Sequence, residues 1–148
     1  MGDTSKSLNQ LIYESRLFYQ SLLAIDEQIK AETGLTLRMR TILEYLLRFG
    51  PSTVPNIARS NSVPDQRIQS QVNQLVKKSL VKVQGNPASK LSPLTVLLPE
   101  GLKAITEMKA REAGIFAKLN LTDLQYRDAT QALRDLREAV EREVYKQP

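Results

Sequence analysis

Gln66, Arg67, Ser70, Asn73, Gln74 and Lys77 recur at spacings that would place them on one side of a helix. Their chemistry is recognition rather than catalysis. At roughly 100° per residue, these positions lie opposite Ile68 and Val72, which read as the buried stripe. Asn and Gln carry a donor and an acceptor in one plane, which matches the N6/N7 edge of adenine. Arg and Lys match guanine O6/N7, and Ser serves either. Carboxylates, which phosphate would repel, are nearly absent. Asp65 is the exception, and its place in the first helical turn suits the positive end of a helix dipole. The ordinary alternative is a solvated face with no task.

The charge distribution bears on that choice. The chain of 148 residues carries 21 basic and 16 acidic residues, a net charge of +5. Residues 50–92 hold six basic groups (Arg59, Arg67, Lys77, Lys78, Lys82, Lys90) and one acid, Asp65, so the whole excess sits there. A basic surface confined to one segment is the footprint of a polyanion binder. Arg59 and Lys82 read as solvated charges, and Lys78, off the reading face, as a cation suited to a helix C-terminus.

The sequence has no histidine and no cysteine. Ser–His–Asp and Cys–His catalysis are therefore excluded, and any metal would rest on carboxylates alone. No phosphate-binding glycine loop is present. No enzyme activity, metal or cofactor is expected. Apolar runs fall well short of a membrane span, so the expected location is cytoplasmic and nucleoid-associated, with no membrane partner.

The elements that must position these residues follow from periodicity. Residues 5–32 predict a long helix with Leu8, Leu11, Ile12, Phe18, Leu22, Ile25 and Ile29 at helical spacing, Ser5 as its N-cap and Gly34 as its stop. Thr36 caps a second helix with Ile42, Leu43, Leu46 and Leu47 as its stripe, ended by Gly50–Pro51. A short helix follows, with Thr53 as N-cap and Pro55 in its first turn. The polar-faced helix spans about 65–79 on a stripe of Ile68, Val72, Leu75 and Val76. Then the period changes: residues 80–85 read as a strand, 86–93 as a long turn-rich tip, and 94–98 as the returning strand. A second long helix starts at Pro99. Thr122 and Gln125 form a capping-box pattern before a last helix with Leu124, Leu133, Leu136, Val140 and Val144 as its stripe.

Two helices, a short turn and a β-hairpin make a winged helix-turn-helix. The fold expected is mainly α with a small β-hairpin wing (α+β). One chain-long unit, 1–148, would hold a winged helix-turn-helix lobe at 36–98 and long flanking helices at 5–32 and 100–146. The flanking stripes exceed what one small lobe covers, which predicts a homodimer through Leu8, Leu11, Ile12, Phe18, Leu133, Leu136, Val140 and Val144. Each of these could equally be intrasubunit core, and a monomeric bundle is the alternative.

The ordered set in residues 35–81, helix, scaffold helix and polar-faced helix, resembles the MarR family of bacterial and archaeal transcription regulators. "NPASKLSPLTVLLPEG" (86–101) is similar to that family's wing, which usually reads Asp-Pro-x-Asp-Arg-Arg before a Leu-Thr-x-x-Gly strand end. The resemblance covers nearly the whole chain. It implies a homodimer on a pseudo-palindromic double-stranded DNA operator, one recognition helix per major-groove half-site and wing tips in flanking minor grooves. It also implies repression or activation tuned by a small phenolic or anionic effector, with repression expected here. By position, the wing's basic residue is Lys90, its usual acids fall on Asn86 and Ser89, and its second Arg falls on Leu91. The ion pair that stiffens such wings is thus missing. The usual glycine after the recognition helix is Ser79. Family geometry would put Tyr13, Arg16, Arg38 and Arg40 at an effector pocket between the long helices and the lobe.

The residues expected at DNA are therefore Gln66, Arg67, Ser70, Asn73 and Gln74 at base edges, and Lys77 and Lys90 at backbone or minor groove. Thr53 would donate to phosphate from the scaffold helix or serve only as its N-cap. A winged helix used for protein contacts, or as an assembly subunit without its own operator, is the main alternative. An RNA binder is less favoured, because no aromatic residue falls between Phe49 and Phe116 to stack bases.

Overall fold

The computed structural model describes residues 2–145, so residue 146, the end of the expected 100–146 region, lies outside the described residues. The chain forms two compact units, one ending at Ala110 and the other starting at Arg111.

In the first unit, α1 (Gly2–Thr33) starts earlier than expected. Ser5 therefore lies inside the helix rather than capping it, and Asp3 supplies the favourable charge of the first turn. At the other end Gly34 takes φ 71°, and its N–H bonds the Lys30 carbonyl at 2.8 Å. α2 (Leu37–Phe49) starts at Thr36, whose hydroxyl accepts the Met39 N–H at 3.2 Å. It buries Met39, Ile42, Leu43 and Leu46, while Leu47, expected on that stripe, is 44% exposed. α4 and β3 supply most of the packing on that stripe.

β1 (Ser52–Thr53), α3 (Val54–Ser60) and α4 (Asp65–Lys77) follow. α4 buries Ile68, Val72 and Leu75, but Val76 is 40% exposed. It ends two residues before the expected 79, in a Schellman closure: Leu80 N–H donates to Leu75 O and Ser79 N–H to Val76 O. Ser79 sits where glycine is usual, at φ 58°. The replacement keeps the cap and adds strain.

β2 (Val81–Asn86) and β3 (Ser89–Leu97) form the wing, and β1 joins the free edge of β3 to give an antiparallel sheet ordered β1-β3-β2. The eight-residue tip expected over 86–93 is in fact a two-residue turn at Pro87–Ala88. Most of the expected tip belongs to β3. Gln84 pairs with Leu94 and Asn86 with Ser89, so Gly85 alone faces residues 90–93. That register shift makes a bulge on β3, which also accommodates Pro93 in a strand.

α5 (Pro99–Phe116) begins against the wing. A Cβ on Gly101 would lie 2.0 Å from the Leu80 carbonyl oxygen and 2.7 Å from Leu97 Cδ1. Only glycine allows this approach. The core is Ile42, Leu43, Ile57, Ile68 and Leu75, closed by Ile29 from α1 and by Ile105 and Met108 from α5. Each fully buried aliphatic side chain contributes about 2 kcal/mol. Arg40, also buried, pairs with Asp26 of α1 and lies 3.8 Å from Met108 Sδ.

The second unit holds the end of α5, a 3-10 turn (Ala117–Leu119) and α6 (Asp123–Val144). Leu119 lies in the turn, and Asn120 at φ 54° breaks the path. The capping box forms as expected: Thr122 N–H donates to Gln125 Oε1 at 2.9 Å, and Gln125 N–H to Thr122 Oγ1 at 3.2 Å. Among the described residues, α6 buries none of its side chains.

Candidate nucleic-acid interface

The candidate recognition face is built by α4's own amphipathicity. Ile68, Val72 and Leu75 pin the helix to the core, which fixes its rotation about its axis. Gln66, Arg67, Ser70, Asn73, Gln74 and Lys77 are consequently all exposed. Gln66, Ser70, Asn73, Gln74 and Lys77 border one open groove together with Gln69. Gln69 Nε2 donates to Asn73 Oδ1 at 2.9 Å, which holds the carboxamide of Asn73 in place and leaves its amide group to donate outward.

The N-terminus of α2 closes one flank. Arg38 lines a groove with Gln66, Arg67, Ser70 and Gln71. Thr36 Oγ1 donates to Gln71 Oε1 at 3.2 Å, tying the start of α2 to the middle of α4. Arg38 thus adds a guanidinium beside Arg67 at the start of the reading helix. The sequence offered no sign of this, because the two arginines meet only through α2–α4 packing.

On the other flank, Thr53 caps α3 by accepting the Asn56 N–H at 3.3 Å. The capping role considered for Thr53 is the one this geometry displays. Lys90 is exposed on the wing. Lys78 lies off the reading face: a Cβ at Gly34 would be 3.5 Å from its Nζ, which puts the ammonium by the C-terminus of α1. Arg59 and Lys82 are exposed.

The wing has its own stiffener. Asn86 Nδ2 donates to the Ser92 carbonyl at 2.9 Å, and Asn86 Oδ1 accepts the Ala88 N–H at 3.0 Å. Ser89 Oγ accepts the Leu91 N–H at 3.3 Å. The two positions that lack acids therefore hold the hairpin with hydrogen bonds instead.

The four effector candidates have different surroundings. Tyr13 and Arg16 are exposed on α1. Arg38 borders the reading face, and Arg40 is engaged by Asp26 inside the core. The last two are drawn apart because positions two apart on a helix differ by roughly 200° about its axis. Of the dimerisation candidates, Leu8, Leu11, Phe18, Leu133, Val140 and Val144 are exposed in the single chain, whereas Ile12 and Leu136 are partly buried.

No group of His, Cys, Asp or Glu among the described residues is placed to hold a metal. No helix among them is long and apolar enough to cross a membrane.

No family model and no curated protein matches the sequence. Solved structures do. A MarR family transcription regulator superposes with a TM-score of 0.86 at 20% identity, covering 99% of this chain and 99% of its own. MarR of Staphylococcus aureus, solved with salicylate and kanamycin, gives 0.74 at 18% identity, covering 92% and 94% respectively. BpsR of Bordetella bronchiseptica, whose DNA binding is regulated by 6-hydroxynicotinic acid, gives 0.71 at 21%, covering 86% and 98%. The chain therefore has the MarR-like winged-helix fold.

Proposed function

We propose that this chain is a sequence-specific double-stranded DNA-binding transcription regulator, acting as a homodimeric repressor on a pseudo-palindromic operator in the cytoplasm. One observation carries the reading: the exposed face of α4 is hydrogen-bonding and basic, with no acid beyond its first turn. Gln66, Arg67, Ser70, Asn73 and Gln74 would read base edges in the major groove. Lys77, Lys90 and Arg38 would hold the backbone or the minor-groove rim, with Thr53 donating to phosphate at the start of α3. The exposed apolar residues of α1 and α6, Leu8, Leu11, Phe18, Leu133, Val140 and Val144, support a homodimer, with Ile12 and Leu136 beside them. A small aromatic acid is the effector class this reading favours, by analogy with the salicylate and the 6-hydroxynicotinic acid of the two similar proteins named above.

The test is fluorescence-anisotropy titration against the upstream intergenic DNA and a scrambled duplex across a salt series. Selective binding is expected, relaxed by Asn73→Ala and weakened on every sequence by Lys90→Ala. Equal, weak binding to both duplexes would overturn the operator. A winged helix for protein contacts would then lead, supported by the exposed Phe49 ring, which lies 4.7 Å from the partly buried Tyr45 with Arg48 over it.

A further inference from the structure

We propose that Leu91 is an apolar wedge for the DNA minor groove, so that the wing reads how easily the base step beneath it deforms. This rests on the DNA-binding reading above and adds a specificity-determining residue to it.

Leu91 is 95% exposed, more than any other large apolar side chain among the described residues. A lone exposed leucine is by itself ordinary. This one is held out by construction. It lies in the bulge where residues 90–93 face Gly85 alone, and bulges re-aim side chains. Asn86 anchors the far side of that bulge through the Ser92 carbonyl, and Ser89 Oγ accepts the N–H of Leu91 itself. The protrusion is therefore braced on both sides.

Its surroundings name the occupant. Leu91 lines a cleft of about 320 Å³ with Pro93, Val54 and Pro55, and Gln66 and Gln69 of α4 line it too. Lys90, next in sequence, brings positive charge to the same wing, within the segment that holds the chain's basic excess. A duplex whose major groove receives α4 would bring its adjacent minor groove to this edge. Asp65 also lines the cleft, which disfavours a phosphate inside it and leaves the apolar rim as the contact. Leucine cannot read the donor–acceptor pattern of the minor groove. It can part a base step, and pyrimidine–purine steps part at the lowest cost.

The test is selection from a pool of randomised duplexes by the full chain and by Leu91→Ala and Leu91→Lys, followed by affinity measurements across salt on the enriched sequences. The wild type should enrich a core flanked by pyrimidine–purine steps. Leu91→Ala should keep the core, lose the flanking preference and bind about tenfold more weakly with an unchanged salt slope. Leu91→Lys should steepen the slope by about one. A wild-type pool without flanking steps, or a Leu91→Ala pool and affinity matching wild type, would overturn the wedge while leaving DNA binding intact. A wild-type pool with no enriched sequence at all would overturn the DNA reading instead.

Discussion

Asn86 donates from Nδ2 to the Ser92 carbonyl and accepts from the Ala88 amide, so one side chain ties the turn to the bulge. Each such bond contributes about 1 kcal/mol net, and both act locally. Asn86→Ala should therefore speed hydrogen exchange of the wing amides about thirtyfold while hardly moving the melting temperature of the lobe. An equal loss of protection throughout α2 and α4 would argue that the wing is not an independent local unit. Ser79 makes the opposite case. It holds a left-handed φ of 58° that costs a non-glycine residue about 1 kcal/mol. Ser79→Gly should raise unfolding stability by roughly that amount, read as a higher urea midpoint at unchanged slope. A lower midpoint would mean that the serine side chain contributes something the cap geometry does not reveal.

Among the elements, the helix starts were legible because capping is local. Thr36, Thr53 and Thr122 each accept an N–H three residues on, a spacing visible in sequence. The start of α1 was misplaced because it has no comparable signal, and its serine at position 5 falls inside the helix. β1 and the full length of β3 were illegible for another reason. Two residues are too few to show a period, and Pro93 with neighbouring serines imitates a loop. Pairing across the sheet decides both. The junction of β3 and α5 gives a sharp prediction. Gly101→Ala would set a Cβ against the Leu80 carbonyl, and should cost about 2 kcal/mol or more, checked by chemical denaturation. Stability like that of wild type would mean α5 can shift outward without loss. Between α1 and α2, the Asp26–Arg40 pair joins two helices inside the core, with Arg40 only 3% exposed. Asp26→Ala would leave a buried cation unpaired and should destabilise by about 3 kcal/mol, whereas Asp26→Glu should recover part of the loss.

For the whole molecule, the apolar surface on α1 and α6 outweighs what the single chain buries there. α6 buries none of its described residues, although Leu124, Leu133, Val140 and Val144 lie along it. Sedimentation of the full chain should give a dimer. Leu133→Asp combined with Val140→Asp should shift it to a monomer, while urea unfolding of the lobe keeps its midpoint. A wild-type chain that sediments as a monomer at micromolar concentration would remove the homodimer from the proposal. Under the proposal that the reading helices act as a pair on two half-sites, the same double variant should also reduce operator affinity more than any single base-contact variant.

The sequence by itself determined the order of helices and hairpin, the caps at Thr36, Thr53 and Thr122, and Ile68, Val72 and Leu75 as the buried stripe of α4, hence its exposed polar face. Each of these depends on contacts within a few residues, or on the period of one element. It also determined the absence of His and Cys chemistry, a matter of composition alone. Tertiary structure decided what depends on partners distant in the chain. Arg38 comes to the reading face and Arg40 to the core because packing on α4 fixes the rotation of α2. Leu91 is thrust outward because β3 pairs out of step with β2, a shift of register that no local period encodes.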